Sequence, residues 1–315
     1  MKIGIDVGGT NLVAGLVNDQ GEIIGKVSTP TGAHRPPEEI CADIVRIAKE
    51  VTLQNHTPLS EVTSVGMGIP GAISSAEGIV YHSPNIPFDH TPVRALFQQE
   101  WDVPVHLAND ASCAALGEHS AGAAQHCDSA IIVTLGTGIG GGIILGGKLF
   151  SGANEAGAEI GHMAVETTNG WRCGCGRYGC WEAYGSATGL KRLTKEEMEA
   201  YPDSCMWAMT EGDFSHISGR TAFDAASQGD EAGKRAVARY LRYLAVGIAN
   251  LINIFQPEVI CLGGGVSNEK DENFLFPLRE LIEAERFTHE GPQTRIVKCQ
   301  LGNDAGLIGA ALLEE

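Results

Sequence analysis

No apolar run in this sequence approaches the roughly 20 residues that a bilayer-crossing helix needs. The most hydrophobic stretch, Leu244 to Phe255, is broken by Gly247, Asn250 and Asn253. Asp6 interrupts the first apolar segment, so no secretory leader is expected at this end. Positive charge is scarce too: 22 Lys and Arg face 39 Asp and Glu, a formal net charge of −17. A surface that acidic repels phosphate backbones and anionic lipid, so neither nucleic acid nor a membrane is an expected partner. A disulfide framework is missing as well. The nine Cys are odd in number and six are scattered, which fits a reducing cytoplasm. Finally, no Gly-Lys-Ser or Gly-Lys-Thr follows any glycine turn, which excludes a Walker loop. No glycine turn leads straight into a helix as a dinucleotide fingerprint requires.

Glycine, by contrast, is abundant, with 41 residues against a usual share of about 7 %. The chain opens as strand, glycine turn, strand: Ile3 and Ile5 alternate with Gly4 and Asp6, Gly8-Gly9-Thr10 turns, and Leu12 to Val17 resumes. The same pattern returns at Ile131 to Leu135, Gly136-Thr137-Gly138 and Ile139 to Leu145, with Gly8 falling on Gly136 and Asp6 on Thr134. This reads as one duplicated unit, one copy per domain. Elsewhere a helix places Ile40, Ile44, Ile47, Ala48 and Val51 on one face, and a longer one carries Val237, Leu241, Leu244, Ile248, Ile252 and Phe255. Strands are expected at Val62 to Ile69, Val103 to Ala108, Val259 to Leu262 and Arg295 to Leu301. Helices and strands alternate, so an α/β class with mainly parallel sheets follows, arranged as two lobes around a central cleft.

Three glycine turns close strands: Asp6 to Thr10, Leu135 to Gly138, and Gly263-Gly264-Gly265. Glycine lets successive N–H groups point into one concavity, which suits phosphate oxygens. Asp6 is placed to hold the water shell of a Mg²⁺ ion. Asn109-Asp110 lies where a strand passes into a helix. Either residue serves as an N-cap, and a carboxylate at a strand's C-terminal end can also take a proton from an attacking alcohol. The most specific signal is Glu159-Ile160-Gly161-His162 followed by Cys173, Cys175 and Cys180 and then Glu182. Three Cys within eight residues and one His can form a closed tetrahedral zinc shell, a structural rather than catalytic site. It would hold a loop bearing Glu159 and Glu182, two carboxylates suited to pairs of sugar hydroxyls. His162 can bind the metal through one ring nitrogen and donate to a ligand through the other.

Over its whole length the chain resembles the ROK family of repressors and sugar kinases. The residues that carry the likeness are Asp6 to Thr10, Leu107 to Ala111, Thr134 to Gly142, Glu159 to His162 and Cys173 to Glu182. The resemblance implies an actin-like ATPase fold with two ribonuclease-H-like lobes, here 1–112 completed by 303–315, and 113–302 with the zinc loop at 159–182. It implies that Asp110 is the general base, and that Gly71, Asn85, Asn109, Glu159, His162 and Glu182 bind the sugar. Phe88 stands where many glucokinases of the family have Trp. ATP phosphates are expected on Gly8, Gly9 and Thr10 and on Thr137 and Gly138, and adenosine at Gly264 and Gly265, with Mg²⁺ bridging the outer phosphates. Homodimers or homotetramers are common in such proteins. Repressors of the family carry a helix-turn-helix before the first strand, and none is expected here. The expected activity is ATP-dependent phosphorylation of a hexose at its 6-hydroxyl, glucose foremost. The rivals are a kinase for N-acetylmannosamine, fructose, mannose or allose, and a non-catalytic sugar-sensing regulator. The segment Tyr201 to Ser218 has no assigned role.

Overall fold

The computed structural model describes residues 1–314. Its first half runs β1 (Lys2–Val7), β2 (Asn11–Val17), β3 (Ile23–Pro30), α1 (Pro37–Gln54), β4 (Ser64–Ile69), β5 (Ala72–Ser74), β6 (Ile79–His82), β7 (Asp89–Thr91), α2 (Val93–Gln98), β8 (Val105–Asn109) and α3 (Asp110–Ala121). The second continues with β9 (Ser129–Leu135), β10 (Ile139–Leu145), β11 (Lys148–Phe150), α4 (Trp181–Gly185), α5 (Ala187–Ala200), α6 (Met206–Met209), α7 (Thr221–Ser227), α8 (Glu231–Phe255), β12 (Val259–Gly263), α9 (Leu275–Glu285), β13 (Arg295–Lys298) and α10 (Ala305–Ala311). Among the described residues no helix is long and apolar enough to cross a membrane.

Two five-stranded sheets carry the repeat, in the orders β3-β2-β1-β4-β8 and β11-β10-β9-β12-β13. The orders correspond strand for strand, so each copy of the glycine hairpin occupies the same place in its sheet. The sheets are mixed, not mainly parallel as the alternation suggested. The turns joining β1, β2 and β3 are only a few residues long and permit antiparallel pairing alone. β4 and β8 follow long crossovers and run parallel to their neighbours. A third, small sheet, β5-β6-β7, lies outside the expected set.

The chain packs into two compact units. One comprises Met1–Ile132, Gly142–Ala158 and the chain from Cys299 onward; the other comprises Val133–Gly141 and Glu159–Lys298. Residues 113–132, 142–158 and 299–302, which the family resemblance assigns to the second lobe, pack with the first unit. The cause is α3, which lies backbone to backbone on α10. A Cβ on Gly309 would stand 1.7 Å from the carbonyl oxygen of Cys113, and one on Gly142 only 2.2 Å from Ala115.

In the first unit Ile3, Ile5, Val7, Leu12, Ala14 and Leu16 are fully buried with the apolar stripe of α1. The opposite face of the sheet meets α10 through Gly4 and Gly66, where any side chain would strike a helix carbonyl. Buried Glu118 accepts hydrogen bonds from the backbone N–H groups of Gln300 (3.0 Å) and Leu301 (2.8 Å), so β13 stops at Lys298, short of the expected Leu301.

In the second unit α8 is the spine, capped by Asp230, which accepts from Gly233 N at 2.8 Å. Trp181 is fully buried against it. A Cβ on Gly247 would lie 2.1 Å from the indole, so this glycine is the notch that seats it, and Nε1 donates to Tyr243 O at 2.9 Å. The segment 201–218 is ordered as α6 and a short 3₁₀ turn. Asp230 holds it by accepting from Ser204 Oγ (3.0 Å) and Cys205 N (2.9 Å).

Candidate active site

The first unit gathers one set of residues. β1 delivers Asp6 to the sheet end, and the Gly8–Thr10 turn is closed by Gly8 N donating to Asn11 O at 3.0 Å. Buried Thr31 braces this turn, its Oγ1 donating to Gly8 O (2.6 Å) and its N–H to Thr10 O (2.8 Å). Gly9 packs on Asn85; a Cβ there would come within 2.9 Å of the Asn85 Cβ. A cavity of about 570 Å³ opens beside the turn, lined among others by Asp6, Gly8, Thr10, Lys26, Ser28 and Asp304. Lys26 and Asp304 pair across it at 2.7 Å.

Asn109 is the N-cap of α3: Oδ1 accepts from Ala111 N (2.9 Å) and Ser112 N (3.4 Å), while Nδ2 donates to Gly71 O at 3.3 Å. Gly71, at φ 121°, passes so close to β6 that a Cβ would meet His82 O at 2.1 Å. Asp110 is the first residue of α3, with Oδ1 accepting from Ala111 N at 2.9 Å. Solvent reaches it, yet crowding by the surrounding protein raises its pKa above the ordinary aspartate value. Asp6 is pushed up to about 6, first by burial and then by the charge of Asp110. Two carboxylates thus share one end of the sheet, next to the glycine turn, and the charge of Asp110 makes the negative form of Asp6 harder to hold. Phe88 does not join this set: it is 1 % exposed and belongs to the core, so the exchange of Trp for Phe there is a matter of packing.

The second unit gathers the other set. Gly136 N donates to Gly138 O at 3.1 Å, and the start of α5 grips the turn from behind through Ala187 N to Gly136 O and Thr188 Oγ1 to Thr137 O, both 2.8 Å. The positive end of the α5 dipole therefore abuts the turn, which suits an anion. Gly264, at φ 87°, packs on this turn, where a Cβ would be 2.5 Å from Leu135 O. Hence the second and third glycine turns are neighbours.

His162, Cys173, Cys175 and Cys180 present ligand atoms all within 4.8 Å of one another. His162 Nδ1 lies 3.6 Å from Cys173 Sγ, and the sulfurs of Cys175 and Cys180 are 3.7 Å apart. Tetrahedral zinc with bonds of about 2.0–2.3 Å spaces its ligands by roughly 3.5–3.8 Å, so the set fits a closed four-ligand ion. Cys205 and His216 are not part of it. Because Nδ1 faces the cluster, Nε2 of His162 is left on the other side, 3.9 Å from Glu159 Oε2. Glu182 connects cluster and turn: Oε2 accepts from Ile139 N at 3.0 Å, and Oε1 accepts from the Cys173 thiol at 3.3 Å. A Cβ on Gly138 would stand 2.2 Å from that carboxylate, so this glycine makes room for Glu182. The loop is clamped by a stack of Trp171 on Tyr184 (4.4 Å) and Tyr184 on Tyr243 (4.3 Å).

Gly265 opens the short 3₁₀ turn Gly265–Asn268 directly after Gly264, and the expected residues thus fall into two sets. Thr31, Thr188 and the aromatic stack carry no local sequence signal, because their partners lie farther away along the chain and none belongs to a short-range pattern.

The paired glycine hairpins in equivalent mixed sheets, with a carboxylate at a helix start, define an actin-like ATPase fold of the sugar-kinase kind. The sequence model of the ROK family matches residues 2–315, and the chain belongs to that family. It is 35 % identical to a glucokinase of Halalkalibacterium halodurans over 99 % of this chain and 94 % of that protein. It is 37 % identical to a glucokinase of Thermotoga maritima over 98 % and 95 %. Among solved structures, a ROK family glucokinase from Streptomyces griseus in complex with glucose and AMPPNP superposes with a TM-score of 0.81 at 35 % identity, covering 98 % of this chain and 97 % of that one.

Proposed function

We propose that this chain is an ATP-dependent hexokinase that phosphorylates the 6-hydroxyl of a hexose, with glucose the preferred substrate. The observation that carries the reading is Asp110, a solvent-reachable carboxylate of raised pKa fixed at the start of α3 beside Asp6 and the first glycine turn. The similarity to glucokinases across nearly the whole chain, one of them in complex with glucose and AMPPNP, supports the choice of glucose and ATP.

The sugar's 6-oxygen attacks the γ-phosphorus, the new O–P bond forms as the bond to the bridging oxygen of ADP breaks, and the hydroxyl proton passes to Asp110. A carboxylate of raised pKa is a stronger base than an ordinary aspartate, and a placed base contributes about 10² to 10⁴-fold. Most of the remainder comes from holding the reactants in line and spreading charge. Gly8, Gly9 and Thr10 on the first turn and Thr137 and Gly138 on the second are assigned to phosphate oxygens, and Gly264 and Gly265 to adenosine. Asp6 would hold the hydrated Mg²⁺ that accompanies ATP, whose charge offsets that of the phosphates. Gly71, Asn85, Asn109, Glu159, His162 Nε2 and Glu182 are assigned to sugar hydroxyls. A zinc ion on His162, Cys173, Cys175 and Cys180 would supply structure and no reaction chemistry, since four protein ligands leave no open position. We further assign the protein to the cytoplasm as a homodimer or homotetramer.

A coupled assay with ATP and a panel of hexoses tests the activity, with glucose expected to give the highest kcat/KM. Asp110→Asn is expected to leave glucose binding measurable while removing nearly all turnover. Near-normal turnover in that variant would refute the assignment.

A further inference from the structure

Glu155 has no role in the mechanism above, yet its geometry is unusual. It holds φ 60°, a left-handed conformation that a side-chain-bearing residue adopts only when its surroundings impose it. Its carboxylate accepts from Ser75 N at 2.5 Å and also from Ser75 Oγ. Ser75 belongs to the turn that joins β5 to β6. That turn is held from its other side by Arg94, which donates to Ser75 O, to Ala76 O (3.0 Å) and to Val105 O (2.9 Å). Val105 opens β8, the strand that ends in Asn109 and leads to Asp110. One continuous chain of hydrogen bonds therefore runs from Glu155 to the strand that carries the proposed base.

The position along the chain gives this bond its consequence. Ser75 follows Gly71 by four residues, and Glu155 precedes Glu159 by four. The intervening Ala158 is a second non-glycine residue in the left-handed region, at φ 63°. The loop 151–158 is rich in Gly and Ala and offers few other side chains that could fix it. Two strained residues and a doubly bonded carboxylate thus define where the chain stands just before it reaches Glu159.

We propose that Glu155 is a positioning residue for the sugar, a latch onto Ser75 that sets the point from which Glu159 reaches the hexose. The proposal rests on the hexokinase reading and adds to it a residue that touches neither substrate.

The test compares wild type with E155A, E155Q, S75A and the S75A/E155A pair. Loss of a charge-assisted pair of hydrogen bonds predicts that E155A raises KM for glucose about tenfold or more, with kcat and KM for ATP within about threefold. E155Q, whose amide oxygen still accepts from Ser75 N, should recover most of the loss. S75A should show a smaller rise in glucose KM, and the pair should be no worse than E155A alone. Amide exchange should quicken over 151–158 in E155A and stay unchanged in the sheets. The latch is overturned if glucose KM is unmoved in E155A or S75A, if both KM values shift together with a fall in Tm, or if exchange over the loop is unaltered. Wild-type turnover on the hexose panel judges the kinase reading separately, and the exchange comparison requires no turnover.

Discussion

Asp6 shows how burial and a neighbouring charge tune one residue. Its carboxyl is pushed up to about 6, so the folded protein binds a proton there that the unfolded chain has released above pH 3.8. The stabilisation tied to that proton is fully present below pH 3.8 and is lost as pH rises through 6. We therefore expect D6N to be more stable than wild type at pH 7, by roughly 2 to 3 kcal/mol at 1.36 kcal/mol per pKa unit. The difference should vanish as pH falls to about 4. Urea midpoints of the substrate-free proteins at pH 7, 5.5 and 4 check this; a gap that widens on acidification contradicts the sign. Asp110 has the same kind of shift, so turnover should begin to fall on acidification at a higher pH than an ordinary aspartate would set. Asn109 and Gly138 teach a related lesson. Asn109 both caps α3 and donates to Gly71, and Gly138 is small partly because Glu182 occupies the space a side chain would need.

At the scale of elements, the loop 159–182 is the least self-sufficient piece. It has no strand or long helix of its own and leans on three devices: the His-Cys₃ cluster, the aromatic stack, and Trp181 seated in the Gly247 notch. Cys175 is the exposed member of the cluster, so its replacement disturbs packing least. C175S is expected to lower bound zinc and Tm together and to raise KM for glucose, while the far-ultraviolet circular dichroism stays close to wild type because the stack and Trp181 remain. Metal content by plasma emission alongside the melting curve checks it; full zinc with an unchanged Tm would remove Cys175 from the ligand set. The hairpins, α1 and α8 were legible because each obeys its own period. The small sheet β5-β6-β7 was not, since its strands are three or four residues long and carry polar residues.

For the molecule as a whole the decisive quantity is charge. A net −17 repels a nucleotide that is itself anionic, and repulsion between separated charges is screened beyond a Debye length of about 8 Å at physiological salt. Raising salt from about 10 mM to about 150 mM, where that screening sets in, is therefore expected to lower KM for MgATP and leave KM for uncharged glucose unchanged. Steady-state kinetics at fixed free Mg²⁺ read both constants, and a rise in the ATP constant would show local attraction outweighing the global field. The duplication also belongs to this scale. Gly8 against Gly136 announced it, and the matching strand orders of the two sheets bear it out. The bounds of the units were less legible, because the backbone contact of α3 with α10 draws 113–132 into the first unit and nothing local in the sequence encodes it.

What the amino-acid order settled by itself is whatever depends on neighbours a few residues apart: the glycine turns closing strands, the capped start of α3 at Asn109-Asp110, the stripe of α8, and the cysteine spacing of the 159–182 loop. What only the folded chain decided is whatever depends on who is packed beside whom. Asp6 meets the field of Asp110, Glu182 reaches the amide of Ile139, Gly9 lies on Asn85, and Glu155 closes on Ser75. Burial, desolvation and hydrogen-bond partners are set by groups tens of residues distant, and short-range periodicity carries no record of them.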